Sequence, residues 1–152
     1  MFEYHGWINV LESADADDAP HADARLDRMA ARIDERVREL DSPYLLDLRR
    51  MNGGVFVHLG GCPNHRDDSI VAFFREVGRL APGSYGLLHV RDDEEPGREN
   101  EVTVVRMVRG RLSTHTELLL SPCVPVLEDP FPGWCGSRRR STSGNRRTHA
   151  RS

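Results

Sequence analysis

Two apolar stripes with helical spacing, separated by a hairpin signal, restrict what this chain can fold into more than any other feature. From Arg25 to Leu40, the residues Leu26, Met29, Ile33, Val37 and Leu40 recur every three or four positions. From about Asp67 to Ala81, Ile70, Phe73, Phe74, Val77 and Leu80 do the same. Both patterns predict amphipathic helices that must bury one side. Asp41-Ser42-Pro43 stops the first helix, and Asp67 or Asp68 favours the start of the second. Between them, Leu45 to Arg50 and Val55 to Gly60 flank Met51-Asn52-Gly53-Gly54. Asn-Gly supplies the positive φ angles of a tight turn, so this segment predicts a hairpin.

The remaining segments read as strands. Residues 2 to 11 are aromatic and β-branched, Tyr85 to Val90 follows a Pro-Gly stop, and Glu101 to Arg109 turns at Gly110 into a last strand near Leu112 to Glu117. Ser13 to Asp23 is a polar, Asp- and Ala-rich link. The resulting order, β-α-β-β-α-β-β-β, predicts an α+β fold. Its first six elements follow the split βαβ or ferredoxin-like plan, with two helices on one face of a mostly antiparallel sheet and an extra C-terminal hairpin.

At 152 residues, with 38% apolar and 30% charged side chains, one soluble domain with a modest core is expected. No signal-like N-terminus and no apolar run near the ~18 residues of a membrane span is present, so a cytoplasmic protein without membrane partners is expected. Three widely spaced cysteines, Cys62, Cys123 and Cys135, argue against a disulfide framework. Every basic side chain other than histidine is Arg. Residues 1–129 carry all 24 acids and 15 of the 21 arginines, a net charge of −9, whereas residues 130–152 carry six arginines and no acid. The first part reads as the domain. The second is too poor in apolar groups to offset its ordering entropy and reads as a disordered tail, capable of weak, salt-sensitive contact with nucleic acid.

Phe2-Glu3-Tyr4-His5-Gly6-Trp7, Leu46-Asp47-Leu48-Arg49, Asn52-Gly53-Gly54, Asn64-His65-Arg66, Ala81-Pro82-Gly83-Ser84-Tyr85-Gly86-Leu87-Leu88, Val90-Arg91-Asp92-Asp93-Glu94 and Leu120-Ser121-Pro122-Cys123-Val124-Pro125 occur in that order. Together they resemble the immunity protein 7 family of bacterial polymorphic toxin systems over residues 1–129. The resemblance implies a non-enzymatic α+β protein, without a cofactor, that binds and neutralises a cognate toxin in the producing cell. It does not name the toxin.

Candidate contact residues follow. Asp92, Asp93, Glu94 and Glu95, with Glu99 and Glu101, read either as a docking patch for a basic toxin surface or as a solvated loop between strands. Strand alternation sends Tyr4, Ile8, Val10, Val55, Val57, Leu59, Leu88 and Val90 to one side of the sheet. His5, Trp7, Phe56, His58, Tyr85 and His89 go to the other. That second set is either a partner site built on aromatic anchors or a minor core covered by the C-terminal strand or by Leu118 to Val126. On the same geometry His5, His58 and His89 would converge on a metal, which makes a small metal-dependent hydrolase one rival function. A nucleic-acid-binding module acting through the Arg-rich tail is the other. Cys62-Pro63-Asn64-His65 has the spacing of half a zinc site but lacks a second pair, and is better read as a loop before a helix.

Overall fold

The computed structural model of the chain describes residues 1–13 and 22–120. The elements are β1 (Phe2–Val10), α1 (Ala22–Leu40), β2 (Leu45–Met51), β3 (Gly54–Gly61), α2 (Asp68–Leu80), β4 (Tyr85–Asp92), β5 (Val102–Val108) and β6 (Arg111–Thr116). They form one six-stranded sheet in the order β2-β3-β1-β4-β5-β6, in which every neighbouring pair is antiparallel. The first four strands take the ferredoxin-like arrangement, and the β5–β6 hairpin extends the sheet beyond β4.

Both predicted stripes pack against the same side of the sheet. Ile70, Phe73, Phe74 and Val77 of α2 and Ile33 of α1, with its neighbour Ala30, are closed to solvent, while Leu26, Met29, Val37, Leu40 and Leu80 are partly buried against them. They share a core with Phe2, Tyr4, Ile8 and Val10 of β1, Val55, Val57 and Leu59 of β3, Leu88 of β4, and Val105 and Met107 of β5. Each fully buried Val, Ile or Phe contributes about 1.5–3 kcal/mol. Burial also pushes the Tyr4 phenol above its usual pKa.

Local sequence sets the ends of the elements. The Asp67 carboxylate accepts the Ser69 backbone N–H at 3.0 Å and caps α2. Asn52 at φ 50° and Gly53 at φ 81° make the β2–β3 turn. Arg109 at φ 50° and Gly110 at φ 67° make the β5–β6 turn in the same way. Arginine is uncommon in that conformation, and close packing explains why the turn is held there. A Cβ on Gly78 of α2 would lie 2.6 Å from the Gly110 carbonyl oxygen, so helix and turn touch backbone to backbone.

The Pro82-Gly83-Ser84 segment ties three elements together. Gly83 N–H donates to the Leu11 carbonyl at 3.0 Å, and Gly110 N–H donates to the Ser84 carbonyl at 2.9 Å. The buried Ser84 Oγ accepts the Leu11 N–H at 3.1 Å. The end of β1, the exit from α2 and the β5–β6 turn therefore meet at this point.

Two boundaries differ by more than one residue from the sequence reading. Helix α1 begins at Ala22 rather than Arg25, so the end of the predicted polar link belongs to it; residues 14–21 of that link lie outside the described residues. Strand β4 continues to Asp92 because Phe2 and Glu3 extend the ladder opposite Asp92 and Arg91. The boundary at 129/130 and the Arg-rich segment after it also lie outside the described residues.

Candidate functional site

Because both helices lie on one side, the other side of the sheet has no helix over it among the described residues, although Val104 on that side, opposite His89, is only 8% exposed. The inter-strand register places its side chains in rows. One row runs Asp47, His58, Trp7, Leu87, Arg106 and Ser113 from β2 to β6. The next runs Arg49, Phe56, Asn9 and Tyr85, and beyond Tyr85 lie Val108 and Arg111. The predicted alternation holds, and Trp7, Phe56, His58, Tyr85 and His89 all share this face.

Trp7 and Tyr85 are its aromatic centre. Their rings meet edge to face with centroids 5.8 Å apart, and the Tyr85 hydroxyl accepts the Asn9 Nδ2–H at 2.8 Å. Those contacts hold both rings in place while leaving Trp7 37% and Tyr85 42% exposed. Strand β6 lies beside β5 in the sheet, so it does not cover them. Leu118, Leu119 and Leu120 are also exposed. Leu120 lines a shallow groove of about 250 Å³ with Glu3, His5, His89 and Arg91, at the far end of the face from Tyr85. Residues 121–126, the rest of the proposed cover, lie outside the described residues.

The three-histidine convergence does not form. His5 and His89 are direct partners across β1 and β4, but His58 faces Trp7, and Gly60 is the β3 residue opposite His5. A shift of two residues in the β1–β3 register thus separates the third imidazole from the pair. Glu3 Oε1 lies 3.1 Å from His5 Nε2, and Glu117 Oε2 lies 3.7 Å from His89 Nε2. Among the described residues no group of three or more His, Cys, Asp or Glu is placed to hold a metal ion. Cys62 is free and exposed, and His65 Nδ1 lies 3.0 Å from Glu94 Oε1.

That last contact belongs to a set that ties the acidic segment to side chains elsewhere in the chain, several of them cationic. Asp92 points to the helical side and is 8% exposed. It faces Arg66 Nη1 at 3.3 Å and accepts the Glu94 backbone N–H at 3.1 Å. Asp93 pairs with the Met1 ammonium, which holds this carboxyl below its usual pKa, while Asp93 raises that of the ammonium. Arg98 lies 2.8 Å from Glu101 and 3.3 Å from Glu95, and these carboxylates raise its pKa. Glu99 accepts the Gly97 N–H at 2.9 Å, which lowers its pKa. Repulsion among consecutive carboxylates is relieved within the chain, so the 92–101 segment is a folded loop. The Asn64-His65-Arg66 and Val90 to Glu94 segments, far apart in sequence, meet here through Arg66–Asp92 and His65–Glu94.

Sequence reasoning missed Leu87, Arg106, Val108 and Arg111 on the open face. Arg106 interrupts the apolar run Val102-Thr103-Val104-Val105-Arg106-Met107-Val108. Its side could be read once β5 was paired with β4, which puts Arg106 opposite Leu87 and in the row of Trp7.

These features define a small α+β protein with one face of its sheet open for contact. The chain belongs to the immunity protein 7 family, whose family model matches residues 1–129 and so includes every described residue. Membership implies an immunity protein that binds and acts against a toxin, within a family that is generally non-enzymatic. No curated protein and no solved structure matches the chain. Among the described residues no helix is long and apolar enough to cross a membrane.

Proposed function

We propose that this immunity protein acts in the cytoplasm of the producing bacterium, as part of a polymorphic toxin system. It neutralises a cognate toxin domain by laying the open face of its sheet over the toxin's active or substrate-binding surface. Trp7, His58, Tyr85 and His89 are the contact residues, and no bond is made or broken by the immunity protein itself. Glu94 and Glu95, with Asp93 beside them, form one margin of the contact, and the Asp92–Arg66 pair holds that margin in shape.

The carrying observation is the Trp7–Tyr85 pair, braced by Asn9 and left uncovered by every described element. Aromatic side chains fixed before binding lose little entropy on contact and are the usual carriers of interface energy. The face also supplies much of the area needed. Six strands at ~4.8 Å and seven residues at ~3.3 Å span roughly 24 by 23 Å, about 550 Å² in projection. That is roughly two thirds of the ~800 Å² each partner buries in a standard interface, and the margins of the sheet add to it.

The test is Trp7→Ala with Tyr85→Ala, assayed by co-expression with the neighbouring toxin gene and by binding to its toxin domain. Both side chains are substantially exposed, so the fold should survive, as circular dichroism would verify. Binding is expected to weaken by about 2 kcal/mol or more, roughly 30-fold, with loss of protection. Full protection with unchanged affinity would remove the open face from the proposal. Glu94→Arg with Glu95→Arg tests the acidic margin separately and leaves the buried Asp92 intact; an unchanged association rate would remove that margin.

A further inference from the structure

We infer that the Trp7–Tyr85 patch fits an acidic protein surface, so that the toxin face it covers carries carboxylates. This rests on the docking role proposed above and adds the sign of the partner's charge.

The sign follows from where the charges lie on the face. The prominent acids lie in the 92–101 loop, at the opposite end of β1 and β4 from Tyr85, where Arg66, the Met1 ammonium and Arg98 pair with Asp92, Asp93, Glu95 and Glu101. On the β2 side of the patch, Asp47 and Arg49 pair with each other. On the β5–β6 side, Arg106 and Arg111 are exposed and form no ion pair among the described residues. Arg106 shares the row of Trp7, two strands away and about 10 Å distant at the usual strand spacing. Arg111 is the partner of Val108, on the Tyr85 side of the same face. Arg109 in the adjoining turn adds a third exposed guanidinium that forms no ion pair among the described residues.

The patch therefore joins Trp, Tyr and Arg, the three side chains most enriched among residues that dominate binding energy. Guanidinium groups offer carboxylates a planar pair of donors, which gives direction as well as charge. A folded protein fits better than a nucleic acid. Residues 1–129 carry a net charge of −9, which repels an extended polyanion, whereas a compact acidic patch meets the local arginines alone.

The experiment measures association of the full chain with the immobilised toxin domain encoded beside it, at about 50 mM and about 500 mM salt. Arg106→Glu with Arg111→Glu is expected to lower the association rate about tenfold or more at low salt, with the difference shrinking at high salt. Arg106→Lys with Arg111→Lys should keep most of the rate. An unchanged or faster rate in the Glu variant overturns the inference; if Trp7→Ala with Tyr85→Ala still abolishes binding, the docking face itself stands. Silence of both variants, or no binding by the unaltered chain, overturns the inference and the docking role together. Tight binding of a short single-stranded RNA that the Glu variant loses would replace the acidic protein with a nucleic acid. Self-association of the unaltered chain that the Glu variant abolishes would replace it with a second copy's acidic loop. Either result refutes the assignment.

Discussion

Gly78→Ala tests the joint that positions the β5–β6 hairpin, and with it Arg106 and Arg111. In an exposed helix the change would stabilise by about 1 kcal/mol, since Ala loses less backbone freedom than Gly. Here the new methyl would stand 2.6 Å from the Gly110 carbonyl oxygen and 3.2 Å from its carbonyl and α carbons. That neighbour is backbone, held by its own N–H bond to Ser84, so no side chain can rotate to make room. Overpacking costs about 1–3 kcal/mol, and an unyielding neighbour puts this site toward the upper end. After the propensity gain, a net loss of about 1–2 kcal/mol is expected, or roughly 4–8 °C in Tm for a domain near 120 residues. Urea and thermal denaturation followed by circular dichroism would measure it, and hydrogen exchange should show β5 and β6 losing protection first. Arg75→Ala on the exposed side of the same helix is the control and should stay within about 0.5 kcal/mol of the parent. A midpoint that is unchanged or raised in Gly78→Ala would refute the backbone contact and the anchoring argument built on it.

Two further outcomes follow from the ends of elements. Asp67→Ala should cost about 1 kcal/mol by removing the α2 cap, measured as a shift in urea midpoint at constant slope; no shift would show that the cap contributes nothing. The Met1–Asp93 pair should stabilise the fold in a bounded pH window. Asp93 is held below 3.8, so its contribution is present above that value and lost as pH falls through the lower folded pKa. The ammonium is held above 8.0, so its contribution is present below that value and lost as pH rises through the higher folded pKa. The difference in midpoint between the parent and Asp93→Asn should therefore peak near neutrality and shrink at both extremes. A difference independent of pH would show that the pair is not its source.

Much of this architecture was legible because it is encoded locally. The stripes of α1 and α2, the Asn52-Gly53 turn and the alternation along β1, β3 and β4 are periodicities within single segments, and those periods state which side must be buried. Alternation likewise assigned Trp7, His58, Tyr85 and His89 to one face before any pairing was known. The acidic segment was less legible. Four successive carboxylates look like free surface charge in the sequence, but Arg66, His65, Arg98 and the Met1 ammonium meet them in the folded chain. Those partners are up to 92 residues away.

By itself, then, the sequence determined the elements, their buried sides and the family, since each depends on residue type and short-range spacing. Tertiary structure alone decided which residues share a row. Register moved His58 opposite Trp7 and away from His5, brought Arg106 into line with Trp7, and closed the acidic loop on its own cations. A strand's pattern specifies its faces but not its alignment with a neighbour, and a shift of two residues preserves every face while exchanging every partner.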